Sequence, residues 1–421
     1  MAARVGLVLV GAELLEGRAR DANGAWLARE VTARGATLAC WSVVGDEEAG
    51  IVAALRAAAG QAPLVVVGGG LGPTEDDRTR AGVAAALGVP LVEDAGAWEA
   101  IQQALARRSR PALDMQRRQA QVPQGAGWLR NPTGIAPGLC ARLGSSEVLV
   151  LPGVPSEFRE MAAREVLPRV EALPGRVDTA LEMVLTVGLP ETEVARRLGD
   201  LATSSEPVLG WYPHHGEVEV SVRAHGEGAA QRAREVADEV RRRVGDSVLD
   251  APPGGRTQDA VLALLRARRL TLATAESITG GLVAEMLTGV PGASEVLRAG
   301  WVAYSEQAKQ RELGVPGALL AGPPGAVSAE VAVAMAEGAR TRAGTDLALA
   351  TTGVAGPGPW QGPAGSVAAG TAYVAVAQAG QPSRVLTLRA PLERSLVRRR
   401  TALLALDLLR RAVMGLPDPQ G

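Results

Sequence analysis

Lys309, in the stretch "WVAYSEQAKQ", is the only lysine in a chain with 44 Lys and Arg residues. A guanidinium stays protonated at any working pH, whereas a lysine amine whose pKa is lowered can lose its proton and act as a base. Nearby stand Ser294 in "PGASEVL" and Tyr304, five residues before the lysine. A serine can be activated by a deprotonated lysine in place of histidine, with a tyrosine relaying or orienting the proton. "ATTGVAGPG" adds Thr351, Thr352 and Gly353 at a strand end, suited to oxyanion or ligand contacts. From residue 258 onward there is neither histidine nor cysteine, so a hydrolase built there has lysine as its obvious base beside the carboxylates. Chance also leaves one lysine somewhere, and composition does not choose between the two readings.

A second constellation follows the apolar run "LVVV". In "GGGLGPTEDDRTR" the amides of Gly69, Gly70, Leu71 and Gly72, with Thr74, can approach phosphate oxygens ahead of a helix whose positive end favours anions. Asp76 and Asp77 sit badly beside bare phosphates, but a magnesium ion bridging carboxylate and phosphate makes the arrangement favourable. A tight turn with aspartates capping a helix is the alternative. Two more strand ends bring Gly11 and Glu13 in "VGAELLEG", and Gly153 and Ser156 in "LPGVPSE". In open α/β sheets, ligands bind where such loops converge beyond the carboxyl ends of the strands. Asn23 and Asn131 are the only asparagines, kept for ligand contacts or for turns. In "LATAESITGGLVAEM", Glu276 and Ser277 lead to Thr279, Gly280 and Gly281 at the start of an amphipathic helix. Its amides suit a single phosphate group, or form an N-terminus with no ligand.

The elements that must position these residues are legible as patterns. Strand-like runs at 5–11, 36–45, 63–70 and 147–153 alternate with helical patterns at 23–35, 47–60 and after Ser156, which predicts a doubly wound parallel α/β domain over 1–170. Residues 176–250 read as a small βαβα module, and "APPGGRT" as a linker crossed by few contacts. A third α/β domain spans 256–421, with strands at "LTLATA", "DLALATTG" and "GTAYVAVAQ" and a closing helix from 391 to 413. "GVPGALLAGPPGAV" and "GPGPWQGPAGS" read as loops.

Composition narrows the function. The net charge of -1, without basic runs or aromatic stacking platforms, argues against direct nucleic-acid contact. Cys40 and Cys140 lack metal or disulfide spacing, and His214, His215 and His225 lack ligand partners. No apolar stretch reaches the length of a membrane span and the N-terminus does not read as a signal peptide, so the expectation is a cytoplasmic protein.

"GAELLEGRARDANGAWLAREV", "GGGLGPTEDDRTR", "NPTGIAPG", "LPGVPSEF" and "TAESITGGLVAEMLT" together resemble the CinA family, over nearly the whole chain. The resemblance implies an N-terminal molybdopterin-binding-like domain with ADP-ribose pyrophosphatase activity, dependent on a divalent metal such as Mg2+ and aided by K+. There Asp76 and Asp77 would serve the metal or the water, and Ala12 stands where many relatives carry a polar residue. The C-terminal segment resembles the family's nicotinamide mononucleotide deamidase domain. On that resemblance Ser294 matches the nucleophile, Tyr304 and Lys309 the activating pair, and Thr351 and Thr352 the strand-end threonines. Arg394 and Arg398 match basic positions of the last helix; four apart, they share a face that pairs with phosphate or carboxylate, or is simply solvated. Ile278 replaces a common cysteine. The middle segment is similar to a KH-like module but lacks a GxxG loop, which favours a spacer or homodimer-forming role. A non-catalytic competence or recombination partner and a molybdopterin-binding protein are the rival readings.

Overall fold

Valine-rich runs that are apolar on both faces need helices on both sides, and the first strands of this chain meet that need. The computed structural model describes residues 3–252 and 254–418. Contacts divide it into two units. One runs to Ala180 and takes in Ala224–Ala230; the other holds Leu181–Arg223 and the chain from Gln231.

The first unit is built on strands β1 (Arg4–Val10), β2 (Thr37–Val44), β3 (Leu64–Gly68), β4 (Gly127–Leu129), β5 (Gly138–Leu143) and β6 (Ser146–Leu151). Their order is β2-β1-β3-β6-β5-β4. Strand alternation splits the core in two: Leu7 and Leu9 face Leu27 and Phe158, while Val8 and Val10 face Ile51 and Leu55. β1, β2, β3 and β6 are parallel. The prediction of a parallel sheet fails at one edge, where β5 and β4 run antiparallel. β5 and β6 form a hairpin about Gly144, whose φ of 62° suits a tight turn. With no helix between them, the alternating pattern had nothing to mark.

In the middle module, β7 (Thr179–Val187), β8 (Val208–His214), β9 (Glu217–His225) and β10 (Val248–Leu249) are ordered β8-β9-β7-β10. The helices Glu191–Leu198 and Ala229–Val244 were anticipated; β8 and β10 were not. β8 carries Pro213 and lies at the sheet edge, where a missing amide donor is tolerated.

The last five strands are β11 (Leu272–Glu276), β12 (Leu297–Val302), β13 (Leu347–Gly353), β14 (Thr371–Gln378) and β15 (Arg384–Arg389), in the order β12-β11-β13-β14-β15. β13 turns Leu347 and Leu349 toward the helix Arg394–Met414, and Ala348 and Ala350 toward the helix Ala329–Ala343. The two stretches read as loops contain a short helix, Gly317–Ala321, and a hairpin, Trp360–Gly362 with Gly365–Val367. Among the described residues no helix is long and apolar enough to cross a membrane.

Candidate active sites

The carboxyl ends of β1, β3 and β6 open onto a cavity of about 860 Å³. Gly11, Glu13, Gly69, Gly70, Leu71, Gly72, Asp76, Asp77 and Gly153 all line it, as their strand-end positions predict. The glycine loop is required by packing before any ligand is considered. A Cβ on Gly69 would meet the Val10 carbonyl oxygen at 2.1 Å, and one on Gly70 would meet Thr79 Oγ1 at 2.1 Å.

The amides divide differently from the prediction. Gly69 N donates to Leu151 O (3.0 Å), Gly72 N to Asp77 Oδ1 (2.7 Å), and Thr74 N to Asp77 Oδ2 (2.9 Å). Thr74 Oγ1 also donates to Asp77 Oδ2 (2.6 Å). Of the five amides assigned to phosphate, only those of Gly70 and Leu71 have no acceptor among the described residues. Asp77 is thus a clamp that closes its own loop, whereas Asp76 is exposed and lines the cavity.

The two asparagines have structural work. Asn131 Oδ1 accepts from Thr133 N and Gly134 N, and its Nδ2 donates to Ala136 O and Glu157 Oε2. Asn23 Nδ2 donates to the cavity-lining Gly153 O (2.7 Å). Neither asparagine nor Thr74 nor Ser156 lines the cavity. Sequence reasoning missed Asp46, Arg108, Arg110, Gln119 and Glu157, which do. Asp46 Oδ2 accepts from Ala12 N (3.0 Å), so a carboxylate stands at the Ala12 loop after all. The run "ARRSRP" was the one available signal for the two arginines.

No three acidic, histidine or cysteine side chains converge to hold a metal among the described residues. With Asp77 occupied by its loop, the donor set does not form a protein cage. Asp76, exposed at the cavity wall, is the carboxylate left to meet a divalent ion of magnesium type.

In the second unit a cavity of about 450 Å³ is lined by Ser277, Tyr304, Ser305, Lys309, Gly353, Trp360 and Arg394, among others. Lys309 is 3% exposed. Its Nζ donates to Ala326 O (3.0 Å) and to Thr352 Oγ1 (3.2 Å), and Thr352 in turn donates to Ala326 O (3.0 Å). Burial draws the amine down to about 8, with Glu306 opposing. Arg394 donates to Tyr304 Oη (3.1 Å) and to Gly356 O (2.9 Å). Arg398 lies outside the cavity and holds Thr279 O (2.6 Å).

Two assignments fail on geometry. The amides at the start of the helix Leu282–Thr288 are not open to a phosphate, because the buried Glu276 carboxylate accepts from Gly281 N (3.0 Å), Val283 N (2.9 Å) and Ala284 N (2.9 Å). Thr279 and Thr351 are also turned inward, their hydroxyls 2.7 Å apart and buried. Gly280 and Gly281 shape this turn at φ 59° and 95° and do not line the cavity. Ser294 is exposed in the turn before β12, whereas Tyr304 follows its other end. Six residues of strand span roughly 20 Å, so Ser294 and the Tyr304–Lys309 pair stand at opposite ends of the sheet. The serines that share the cavity with Lys309 are Ser277 and Ser305.

Three family models match the chain in succession: a "Probable molybdopterin binding domain" over 6–172, a "Damage-inducible protein CinA KH domain" over 182–249 and a "CinA C-terminal domain" over 255–413. A CinA-like protein of Frankia casuarinae is 39% identical, covering 99% of this chain and 98% of its own. One from an Anaeromyxobacter species is likewise 39% identical, over 98% and 100%. A solved structure of the protein CinA with unknown function from Thermoplasma acidophilum matches 40% of this chain and 98% of its own, at 34% identity and a TM-score of 0.38.

Proposed function

The chain belongs to the CinA family, and from that premise we propose a bifunctional pyridine-nucleotide-cycle enzyme. Its second unit deamidates nicotinamide mononucleotide to nicotinate mononucleotide and ammonia. Its first unit hydrolyses ADP-ribose at the diphosphate.

The observation that carries the deamidase reading is the buried Lys309 amine at the cavity wall, drawn down to about 8 by loss of water. A base poised near the working pH is what proton abstraction from a weak nucleophile needs. Of the two wall serines, Ser305 is spent accepting from Ala308 N as the cap of the helix Glu306–Leu313. Ser277 takes the nucleophile's role that the sequence reading gave to Ser294. Its Oγ attacks the carboxamide carbon while neutral Lys309 accepts the hydroxyl proton. That proton goes to the nitrogen as the C–N bond breaks and ammonia leaves. Water, losing its proton to the same amine, then cleaves the ester and restores Ser277. Arg394 orients the Tyr304 hydroxyl and offers the cavity a cation for the substrate phosphate.

In the first unit, the free Gly70 and Leu71 amides support diphosphate binding, and the cavity volume suits a dinucleotide-sized ligand. Asp76 would hold a divalent ion, which neutralises phosphate charge when bound. Water attack breaks the P–O–P bridge to give AMP and ribose 5-phosphate.

Purified protein given nicotinamide mononucleotide should release ammonia, and Lys309→Arg should slow that release by at least about 100-fold. ADP-ribose hydrolysis by the variant should match wild type. No ammonia from the wild-type protein would overturn the deamidase reading, and near-normal release by the variant would remove Lys309 as its base.

A further inference from the structure

The Pro- and Gly-rich stretch "GPGPWQGPAGS" folds into the hairpin Trp360–Gly362 with Gly365–Val367, and this brings Trp360 to the wall of the second cavity. Trp360 pairs with Val367, Gln361 with Ser366 and Gly362 with Gly365, and Gln361 Nε2 donates to Ser366 Oγ (3.2 Å) across the pair. Two glycines seat the indole. A Cβ on Gly362 would meet its Cζ3 at 2.0 Å, and one on Gly325 would meet its Cη2 at 2.9 Å. The six-membered edge of the ring thus packs on its own hairpin and on the loop before Ala326, and the side chain stays half-buried. A chain with seven Trp, three Tyr and one Phe sets two aromatics, Trp360 and Tyr304, on this one cavity, which suits a flat ligand. Trp98 carries the guanidinium of Arg117 at 4.8 Å from its ring centroid; among the described residues no cation covers Trp360.

We propose that Trp360 is a specificity-determining residue of the second cavity, its indole receiving the cationic aromatic ring of a pyridinium nucleotide. A pyridine nitrogen bonded to ribose carries a positive charge at every pH. The face of a tryptophan attracts such a charge through its ring quadrupole, more strongly than any other side-chain ring and most where water is excluded. The charged groups on the same wall have other tasks. The Arg394 guanidinium repels the ring and suits the phosphate, and Lys309 is neutral when it acts as the base. Glu306 attracts any cation, flat or not, so the preference for a charge spread over a ring falls to Trp360. This rests on the reading of the cavity as a nicotinamide mononucleotide deamidase site, and it adds which side chain recognises the ring.

The test uses the full chain and calorimetric binding of two ligands with no amide to hydrolyse: nicotinate mononucleotide and its reduced form, whose dihydropyridine ring is uncharged and not aromatic. Trp360→Leu should weaken nicotinate mononucleotide about tenfold and the reduced form by less than twofold. Trp360→Phe keeps an aromatic face, should stay within about threefold of wild type, and guards against a misfolded Leu variant. In ammonia release from nicotinamide mononucleotide the Leu variant should raise KM and leave kcat and its pH profile in place. A merely structural tryptophan would act through Gly325 and Ala326 O on Lys309, and would lower kcat or move that profile instead. Equal loss for the charged and reduced ligands, unchanged binding in both variants, or identical behaviour of Leu and Phe would each overturn the proposal. Wild type that binds nicotinate mononucleotide better than its reduced form but releases no ammonia would sink the deamidase reading and not this one. Wild type that deamidates yet binds the two forms alike would sink this one alone, and wild type that neither binds them nor releases ammonia sinks both.

Discussion

Arginine cannot replace Lys309, because the role proposed for it needs an amine that is neutral for part of its time. Burial lowers Lys309 from 10.5 to about 8, so the neutral fraction should control the rate. Deamidation at saturating substrate should climb about tenfold per pH unit up to roughly pH 8 and then level. A flat profile from pH 6 to 9 would show that Lys309 is not the titrating base. The same shift bears on stability. Between pH 8 and 10.5 the unfolded chain holds a proton that the folded chain has released, so this group makes stability rise with pH across that window, by about 3 kcal/mol in all. Lys309→Met should abolish that rise in urea unfolding. It leaves Ala326 O still bonded to Thr352 and so should cost nothing at pH 7. What was legible at this scale was the lysine, its tyrosine and the glycine loop, because unusual composition and strand-end spacing mark them. Ser294 lies away from the Tyr304–Lys309 pair for a physical reason. β12 went unread, and without that extended strand ten residues of sequence look like proximity.

At the scale of elements, one carboxylate does at β11 what a bound phosphate was expected to do. Glu276 is buried and accepts three amides of the following turn and helix. Side chains that cap helix starts are hard to tell from ligand sites in sequence, since both need small residues and open amides. Glu276→Ala would leave three amide donors without their acceptor, that of Val283 buried and those of Gly281 and Ala284 partly so, and let the turn that carries Ser277 shift. It should destabilise the protein by at least about 2 kcal/mol and lower deamidation through misplacement of Ser277. A wild-type unfolding curve for Glu276→Ala would show that water replaces the carboxylate without loss. Asp77 plays the matching part in the first unit, holding Gly72 and Thr74. Parallel strands covered by helices were readable because both faces are apolar. The antiparallel edges were not, since β4, β8 and β10 are short, partly exposed or interrupted by proline.

At the scale of the molecule, "APPGGRT" marks a change in chain character but not a break in packing. The buried Glu217 of β9 accepts from both Thr257 N (2.9 Å) and Thr257 Oγ1 (2.6 Å), capping the helix Thr257–Arg268 from outside it. Leu185, Val187 and Leu249 of the middle module share a core with Ala260. At the far end of the last helix, buried Asp407 pairs with Arg410 (2.7 Å) and Arg411 (2.8 Å), and Arg410 donates to Asp246 O (2.6 Å). Polar groups and apolar side chains therefore cross the apparent linker together, and contacts place most of the middle module, Leu181–Arg223 and the chain from Gln231, in one unit with the last domain. A chain beginning at residue 181 should melt in a single transition. One beginning at 256 loses the cap and the shared core, which together contribute on the order of 2–4 kcal/mol. It should fold but melt at least about 5 °C lower. Its cavity residues all lie beyond residue 276, so the surviving folded fraction should still deamidate at 25 °C. Equal melting temperatures for the two truncated chains would mean that the middle module lends the deamidase domain no stability, and that the Glu217 cap is replaced by water when it is cut away.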